Sequence, residues 1–247
     1  MITRAEPVMG TVVSFLVEPA GLADGVAEAM LDEAYAELHR LDDRFSAWKP
    51  ASELSRIRSG DVATPSALMR EVIELCEIAR ELTAGYFDPW SLPGGFDPTG
   101  LVKGWAAERA LAVLAEGGVV AALVNAGGDI CVIPGTTYDV GVQHPSVRDA
   151  LCAVIRVDAA AATSGVYERG EHLCHPFGGQ ATAVSATVVG GRLAIADAFA
   201  TALAVGGVDV LDLVEATPGL EGFFITRDGV LAQTSAMDLG RDRIASA

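Results

Sequence analysis

From Gly85 to Trp105 the chain reads GYFDPWSLPGGFDPTGLVKGW, two Phe-Asp-Pro triplets among glycines that run into a helix carrying one lysine. Proline and glycine at this density stop a preceding helix and turn the chain before the next one begins. Glycines let backbone N–H groups approach a ligand closely, a helix N-terminus carries partial positive charge, and Lys103 adds a full one. The stretch therefore suits an anion, and it equally suits a turn-rich loop with a solvated lysine. No fixed-spacing phosphate loop or dinucleotide fingerprint accompanies it.

Around this break, helical and strand-like periodicities alternate without a linker or a low-complexity segment. Thr11 to Val17 reads as a strand, and a helix from about Leu22 sets Val26, Met30, Tyr35, Leu38 and Leu41 near one face. Thr64-Pro65 opens a second helix in which Leu68, Val72, Leu75, Ala79 and Leu82 recur at helical spacing up to Gly85. A third runs from about Val102 to Ala115. Strands follow at Val119–Val124, Asp129–Ile133, Tyr138–Gln143, Leu151–Val157 and Val184–Val189, then helices at Ala194–Val205 and Val208–Glu215. A hairpin of Gly222–Thr226 and Val230–Thr234 closes the pattern across Arg227-Asp228-Gly229. This order predicts an α+β fold, mixed sheets with packed helices in one domain over residues 1–247.

Composition narrows the partners. With 51% hydrophobic and 20% charged residues the chain buries a proper core. Its net charge of -16 opposes nucleic acid and anionic membranes, which are bound through clustered Lys and Arg. An anionic small ligand needs local help from N–H groups or a metal ion. The N-terminus shows no apolar run of signal-peptide length and no stretch approaches a membrane span, so a cytoplasmic protein without membrane insertion is expected. Cys76, Cys131, Cys152 and Cys174 lack paired spacing, which suits reduced thiols.

Two further clusters carry chemistry. Asp197 and Thr201 are four apart in an alanine-rich helix, so a carboxylate and a hydroxyl stack on one face and suit a hard cation such as magnesium. The same pair also fits an Asp favoured by the helix dipole with Thr201 bonding back to the backbone. In the second cluster, Thr163-Ser-Gly165 precedes His172 and His175, and imidazole can act as acid, base or ligand near neutral pH. A zinc site there is disfavoured because no second ligand pair is evident, and a surface histidine is the plain alternative.

The ordered motifs resemble the ApbE family of FAD:protein FMN transferases. They are Met9-Gly-Thr11, Phe45-Ser-Ala-Trp48 with Ser52-Glu-Leu-Ser55, Gly85-Tyr-Phe-Asp88, Asp97-Pro-Thr-Gly-Leu-Val-Lys-Gly104, Asn125-Ala-Gly-Gly-Asp129, Thr163-Ser-Gly165, His172 with Pro176 and Gly179, and Ala196-Asp197 through Thr201. The resemblance implies a T-fold-like architecture and an enzyme that binds FAD and magnesium. It implies transfer of FMN to a Ser or Thr hydroxyl of an acceptor protein with release of AMP; some members hydrolyse FAD instead. By correspondence, Asp197 and Thr201 match the side-chain metal ligands, and Gly100 falls where a third ligand oxygen is offered, here only its carbonyl. Met9, Trp48, Phe87, Asp88, Asp97, Lys103 and Cys174 fall on positions lining the FAD site, and His172 matches the base for the incoming hydroxyl.

Some positions depart from that pattern. The segment from Asp88 to Asp97 is short, His175 stands for an aspartate, Gly178 for a threonine, Arg58 for an asparagine and Glu108 for an aspartate. The changes at His175 and Gly178 keep a flavin carrier without turnover as an alternative to the transferase, and the members that hydrolyse FAD make a pyrophosphatase without an acceptor a second one.

Overall fold

A computed structural model describes residues 1–23, 25–92, 94–147, 149–165, 176–178 and 180–240. Its centre is an eight-stranded sheet in which every pairing is antiparallel. Strands β1 (Ile2–Val8), β2 (Thr11–Glu18), β3 (Ala121–Ala126) and β4 (Asp129–Val132) lie side by side. They continue into β7 (Ala160–Gly165), β8 (Ala183–Val189), β9 (Glu221–Thr226) and β10 (Leu231–Gln233). Strands β5 (Tyr138–Gln143) and β6 (Leu151–Val157) leave this order and form a separate two-stranded hairpin.

The period-2 alternation of β4 shows how the sheet is covered on both sides. Cys131 belongs to the larger core cluster, shared with helices α1 (Val26–Phe45), α3 (Ala67–Leu82), α4 (Thr99–Glu116), α5 (Leu193–Gly206) and α6 (Val208–Ala216). Its neighbours Ile130 and Val132 pack in a second cluster with Val142 and Ile155 of the hairpin and with Met237 and Leu239. All four β4 side chains are buried, as expected of a strand covered on both faces.

Local signals account for most boundaries. Ser66 caps α3 by accepting from the Met69 N–H at 3.3 Å, and the buried positions Met69, Val72, Leu75, Cys76 and Ala79 repeat at helical spacing. In α1 the buried stripe is Ala27, Leu31, Ala34, Tyr35, Leu38, Leu41 and Phe45. Val26 and Met30 are therefore at the edge of the buried face and half-buried, a shift of one position from the sequence reading.

Three elements go beyond the sequence reading. The edge strand β1 alternates Ile2, Arg4 and Glu6 toward its neighbours, with Pro7 exposed where no ladder donor is needed. Its polar residues are used: Arg4 ion-pairs with Glu6 and Asp32, and the Tyr35 hydroxyl donates to the Arg4 carbonyl at 2.9 Å. Helix α2 (Glu53–Arg58) is too short to show a period and is set by Ser52, whose Oγ accepts from the Ser55 N–H at 3.0 Å. Strand β7, AAATSG, has no strand propensity of its own and is held by β4 on one side and β8 on the other.

Helices α4 and α5 cross closely over the sheet. At Gly104 a Cβ would stand 2.8 Å from the carbonyl oxygen of Leu193 and 3.0 Å from its carbon, so only glycine fits. Helix α5 is itself built largely of small buried residues, Ala194, Ala196, Ala198, Ala200, Ala202 and Ala204 among them. Gly104→Ala is expected to cost about 1–3 kcal/mol, because the obstructing atoms are backbone and cannot rotate away. Urea denaturation checks this, and an unchanged midpoint would show that the crossing has slack.

Candidate active site

The tight crossing sets two motifs from distant parts of the chain against each other. Asp197 is on α5 with its side chain buried, and its Oδ2 accepts from the backbone N–H of Gly104 on α4 at 3.4 Å. One turn further, Thr201 faces Gly100, where a Cβ would sit 3.2 Å from Thr201 Oγ1 and 3.1 Å from the ring of Phe87. The Thr201 hydroxyl also meets Ser164 Oγ of β7 at 3.2 Å. A carboxylate, two hydroxyls and the backbone of a helix's first turn thus share one small volume. Oxygen donors of this kind fit a hard cation, and Asp197 and Thr201 are the side chains that can hold it, with Gly100 packed against Thr201. Among the described residues no group of three or more His, Cys, Asp or Glu side chains gathers. One carboxylate with neutral oxygens would leave most ligand positions of a hard cation to water and substrate oxygens.

Glu108, three residues beyond Trp105 on α4, fixes this arrangement from the other end. Its carboxylate accepts from the Leu193 N–H at the start of α5 and from Arg192 Nη2 at 3.0 Å. An acceptor there satisfies one of the donors that a helix start leaves unpaired.

Lys103 is neither solvated nor isolated. Its Nζ ion-pairs with Asp129 Oδ2, with side-chain exposures of 15% for the lysine and 0% for the aspartate. The other Asp129 oxygen accepts from the Thr163 N–H at 3.3 Å. Strand β3 turns into β4 through Gly127-Gly128, with the Asn125 side chain accepting from the Gly128 N–H at 2.8 Å, and this turn delivers Asp129 to the helix-facing side. The positive charge of Lys103 is thus anchored beside the first turn of α4 by a carboxylate from the sheet.

The other expected ligand-lining residues separate in their surroundings. Phe87 is buried in the main core, its ring under Gly100, and acts as floor rather than as an open stacking face. Trp48 is the reverse, 93% exposed, so whatever its ring stacks on comes from outside the described fold. Met9 holds a positive φ of 54° in the turn between β1 and β2, a conformation uncommon for a non-glycine residue. Asp88 ion-pairs with Arg80 at 3.0 Å and accepts from the Trp90 N–H at 3.0 Å. Asp97 accepts from the Thr99 N–H at 3.1 Å at the head of α4. His172, His175 and Cys174 lie outside the described residues, as does Gly179. Cys76, Cys131 and Cys152 are free, and burial pushes all three thiols up, away from the reactive thiolate.

Sequence reading assigns no role to Asp129, Ser164 or Glu108 at this site. Asp129 and Ser164 stand inside recognisable motifs, yet their partners, Lys103 and Thr201, are set only by the packing of helix on sheet. Removing the lysine's charge leaves a fully buried carboxylate without its cation. Lys103→Met is therefore expected to cost on the order of 3 kcal/mol, and adding Asp129→Asn should recover part of it. Chemical denaturation of the two variants checks this; equal stability of wild type and Lys103→Met would return the lysine to a dispensable surface role.

The comparisons with known proteins fit this arrangement. The ApbE family model matches residues 9–94 and 91–224, which takes in the two Phe-Asp-Pro triplets, Asp129, Ser164 and Asp197. The ApbE protein of Thermotoga maritima superposes with a TM-score of 0.84 at 20% identity, covering 95% of this chain and 97% of that one. The flavin transferase ApbE of Vibrio cholerae gives 0.79 at 21% identity, covering 95% and 97%. The flavinyl transferase ApbE of Pseudomonas stutzeri, in its apo form, gives 0.76 at 21% identity, covering 95% and 94%. No curated protein is similar enough in sequence to count as a relative. At such identities the superpositions establish the fold, and the family model, spanning most of the chain, establishes the lineage: this chain belongs to the ApbE family.

Proposed function

We propose that this protein transfers FMN from FAD to a Ser or Thr hydroxyl of an acceptor protein and releases AMP, with magnesium at the α4–α5 crossing. The observation that carries this reading is the meeting of Asp197 and Thr201 with Gly100 and Gly104 across two helices that are far apart in sequence. Family membership and the flavin transferases of the same fold support the choice of flavin.

Each residue then has a chemical task. Phosphoryl transfer asks a protein mainly to position the nucleophile and to meet negative charge on the phosphate oxygens. Asp197, Thr201 and the Gly100 carbonyl are the ligands we assign to magnesium, which when bound supplies positive charge at the pyrophosphate. The first turn of α4 presents backbone N–H groups and its partial charge to the same anion, and Lys103 adds to that field from its seat on Asp129. The acceptor oxygen forms a bond to the FMN phosphorus as the bond to the bridging oxygen breaks, and that oxygen leaves with AMP. His172, assigned by family correspondence, takes the hydroxyl proton. Trp48, exposed as it is, offers a ring face to flavin or adenine.

Two features bear on the partners and the compartment. Among the described residues no helix is long and apolar enough to cross a membrane. Free thiols at Cys76, Cys131 and Cys152 suit a reducing compartment, and we place enzyme and acceptor in the cytoplasm on that ground.

Incubating the protein with FAD, magnesium and a peptide bearing a Ser/Thr acceptor motif tests the reading, with AMP followed by chromatography and the peptide by mass spectrometry. The expected result is a peptide heavier by one FMN for each AMP released. AMP without labelling would support the pyrophosphatase, and bound flavin without AMP would support the carrier. Asp197→Ala is expected to lower AMP release by about a hundredfold or more. His172→Ala should keep FAD binding and slow transfer, and unchanged transfer would remove it as the base.

A further inference from the structure

Arg58 occupies a place between two parts of the site that nothing above explains. It sits in the last turn of α2, and its Nε donates to the Gly94 carbonyl at 3.0 Å while Nη1 lies 3.4 Å from Asp97 Oδ2. The fit at Gly94 is tight: with φ at +93°, a Cβ there would stand 2.4 Å from Arg58 Nη2. The segment it grips is closed on itself, since the Asp97 N–H donates to the Pro89 carbonyl at 2.9 Å and the rings of Trp90 and Phe96 meet at 5.3 Å. Asp97 in turn accepts from the Thr99 N–H at the head of α4. The platform beneath is rigid, because Ser52 of the α2 cap donates to the Ser46 carbonyl at 2.7 Å and Glu53 ion-pairs with Arg44.

We infer that Arg58 is a positioning residue that sets the affinity for FAD, by holding Gly94 and Asp97 just before α4 and by offsetting the Asp97 charge at the α4 N-terminus. An anionic pyrophosphate approaching the first turn of α4 meets the Asp97 carboxylate at its mouth, in a chain whose net charge is already -16. A guanidinium against that carboxylate reduces the repulsion, while Asp97 itself occupies the Thr99 N–H and leaves the N–H groups beyond it to the ligand. The fork of Arg58 also spans two acceptors that a point charge cannot bridge in the same way. Its contacts with Gly94 and Asp97 lie at the entrance to α4, so its effect is expected on binding, alike in ground and transition states. The inference rests on FAD being the substrate.

The test is fluorescence titration of FAD and steady-state AMP release on the full chain. Arg58→Met is expected to raise both Kd and KM for FAD about tenfold with kcat within about twofold, and Arg58→Lys should fall between it and wild type. Gly94→Ala displaces the Arg58 guanidinium without replacing that residue and should shift Kd in the same direction. Urea midpoints establish that each variant is folded; a merely structural role would lower the midpoint and leave Kd of the folded protein unmoved. FAD affinity within about twofold of wild type in both Arg58→Met and Gly94→Ala, or a fall in kcat at constant Kd, would overturn the inference while leaving the proposed function standing. A wild-type protein that binds no FAD would remove both.

Discussion

The close crossing of α4 over α5 is the constraint on which the site depends. Two helices ordinarily keep their axes apart by the thickness of their side chains. Here the Gly104 backbone touches the Leu193 carbonyl, and α5 answers with a run of buried alanines. Because the backbones approach, a peptide N–H of one helix reaches the carboxylate of the other, and Gly100 comes under the hydroxyl of Thr201. Bulkier residues at either helix would bury more apolar surface and would also push Asp197 and Thr201 off the first turn of α4. The crossing therefore gives up some core packing for an exact juxtaposition of polar groups.

A buried cluster of polar groups survives only if each has a partner. The sheet provides several. Asp129, at the start of β4, neutralises Lys103 and is itself held by the Thr163 N–H, and Ser164 of the adjacent strand meets Thr201. The turn between β3 and β4 and the C-terminal end of β7 lie at the same end of the sheet, since Ile130 pairs with Ala161 in an antiparallel ladder. Helix N-terminus, anchored lysine and metal-suited face thereby converge at the C-terminal end of β7. Phosphoryl transfer needs such a convergence more than it needs any single reactive side chain.

What the sequence discloses follows from how local each signal is. The hairpin strands Tyr138–Gln143 and Leu151–Val157 are legible to the residue, because β-branched and apolar runs are bounded by turn residues in both. Helices α3, α4 and α5 are legible from periodicity and glycine stops, but not their starts: α3 begins at Ala67 under the Ser66 cap rather than at Thr64-Pro65, and α4 begins at Thr99, three residues before Val102. Strand β7 is not, since AAATSG becomes a strand only between two partners, and α2 is too short to carry a period. At the site, Gly100, Lys103, Asp197 and Thr201 are legible as motifs, but their partners are tertiary facts. Lys103 reads as a free cation until Asp129 is placed against it. Two aromatic residues that read alike, Trp48 and Phe87, differ completely once burial is known: one is exposed, the other is the floor beneath Gly100.

The central claim is that the α4–α5 crossing holds the metal that serves the flavin pyrophosphate. Crystals grown with FAD and manganese, examined by anomalous diffraction, address it most directly. The account predicts a single strong peak ligated by the Asp197 carboxylate, the Thr201 hydroxyl and the Gly100 carbonyl, with the pyrophosphate against it. Flavin bound with no metal at that face, or a metal held by other residues, would contradict it.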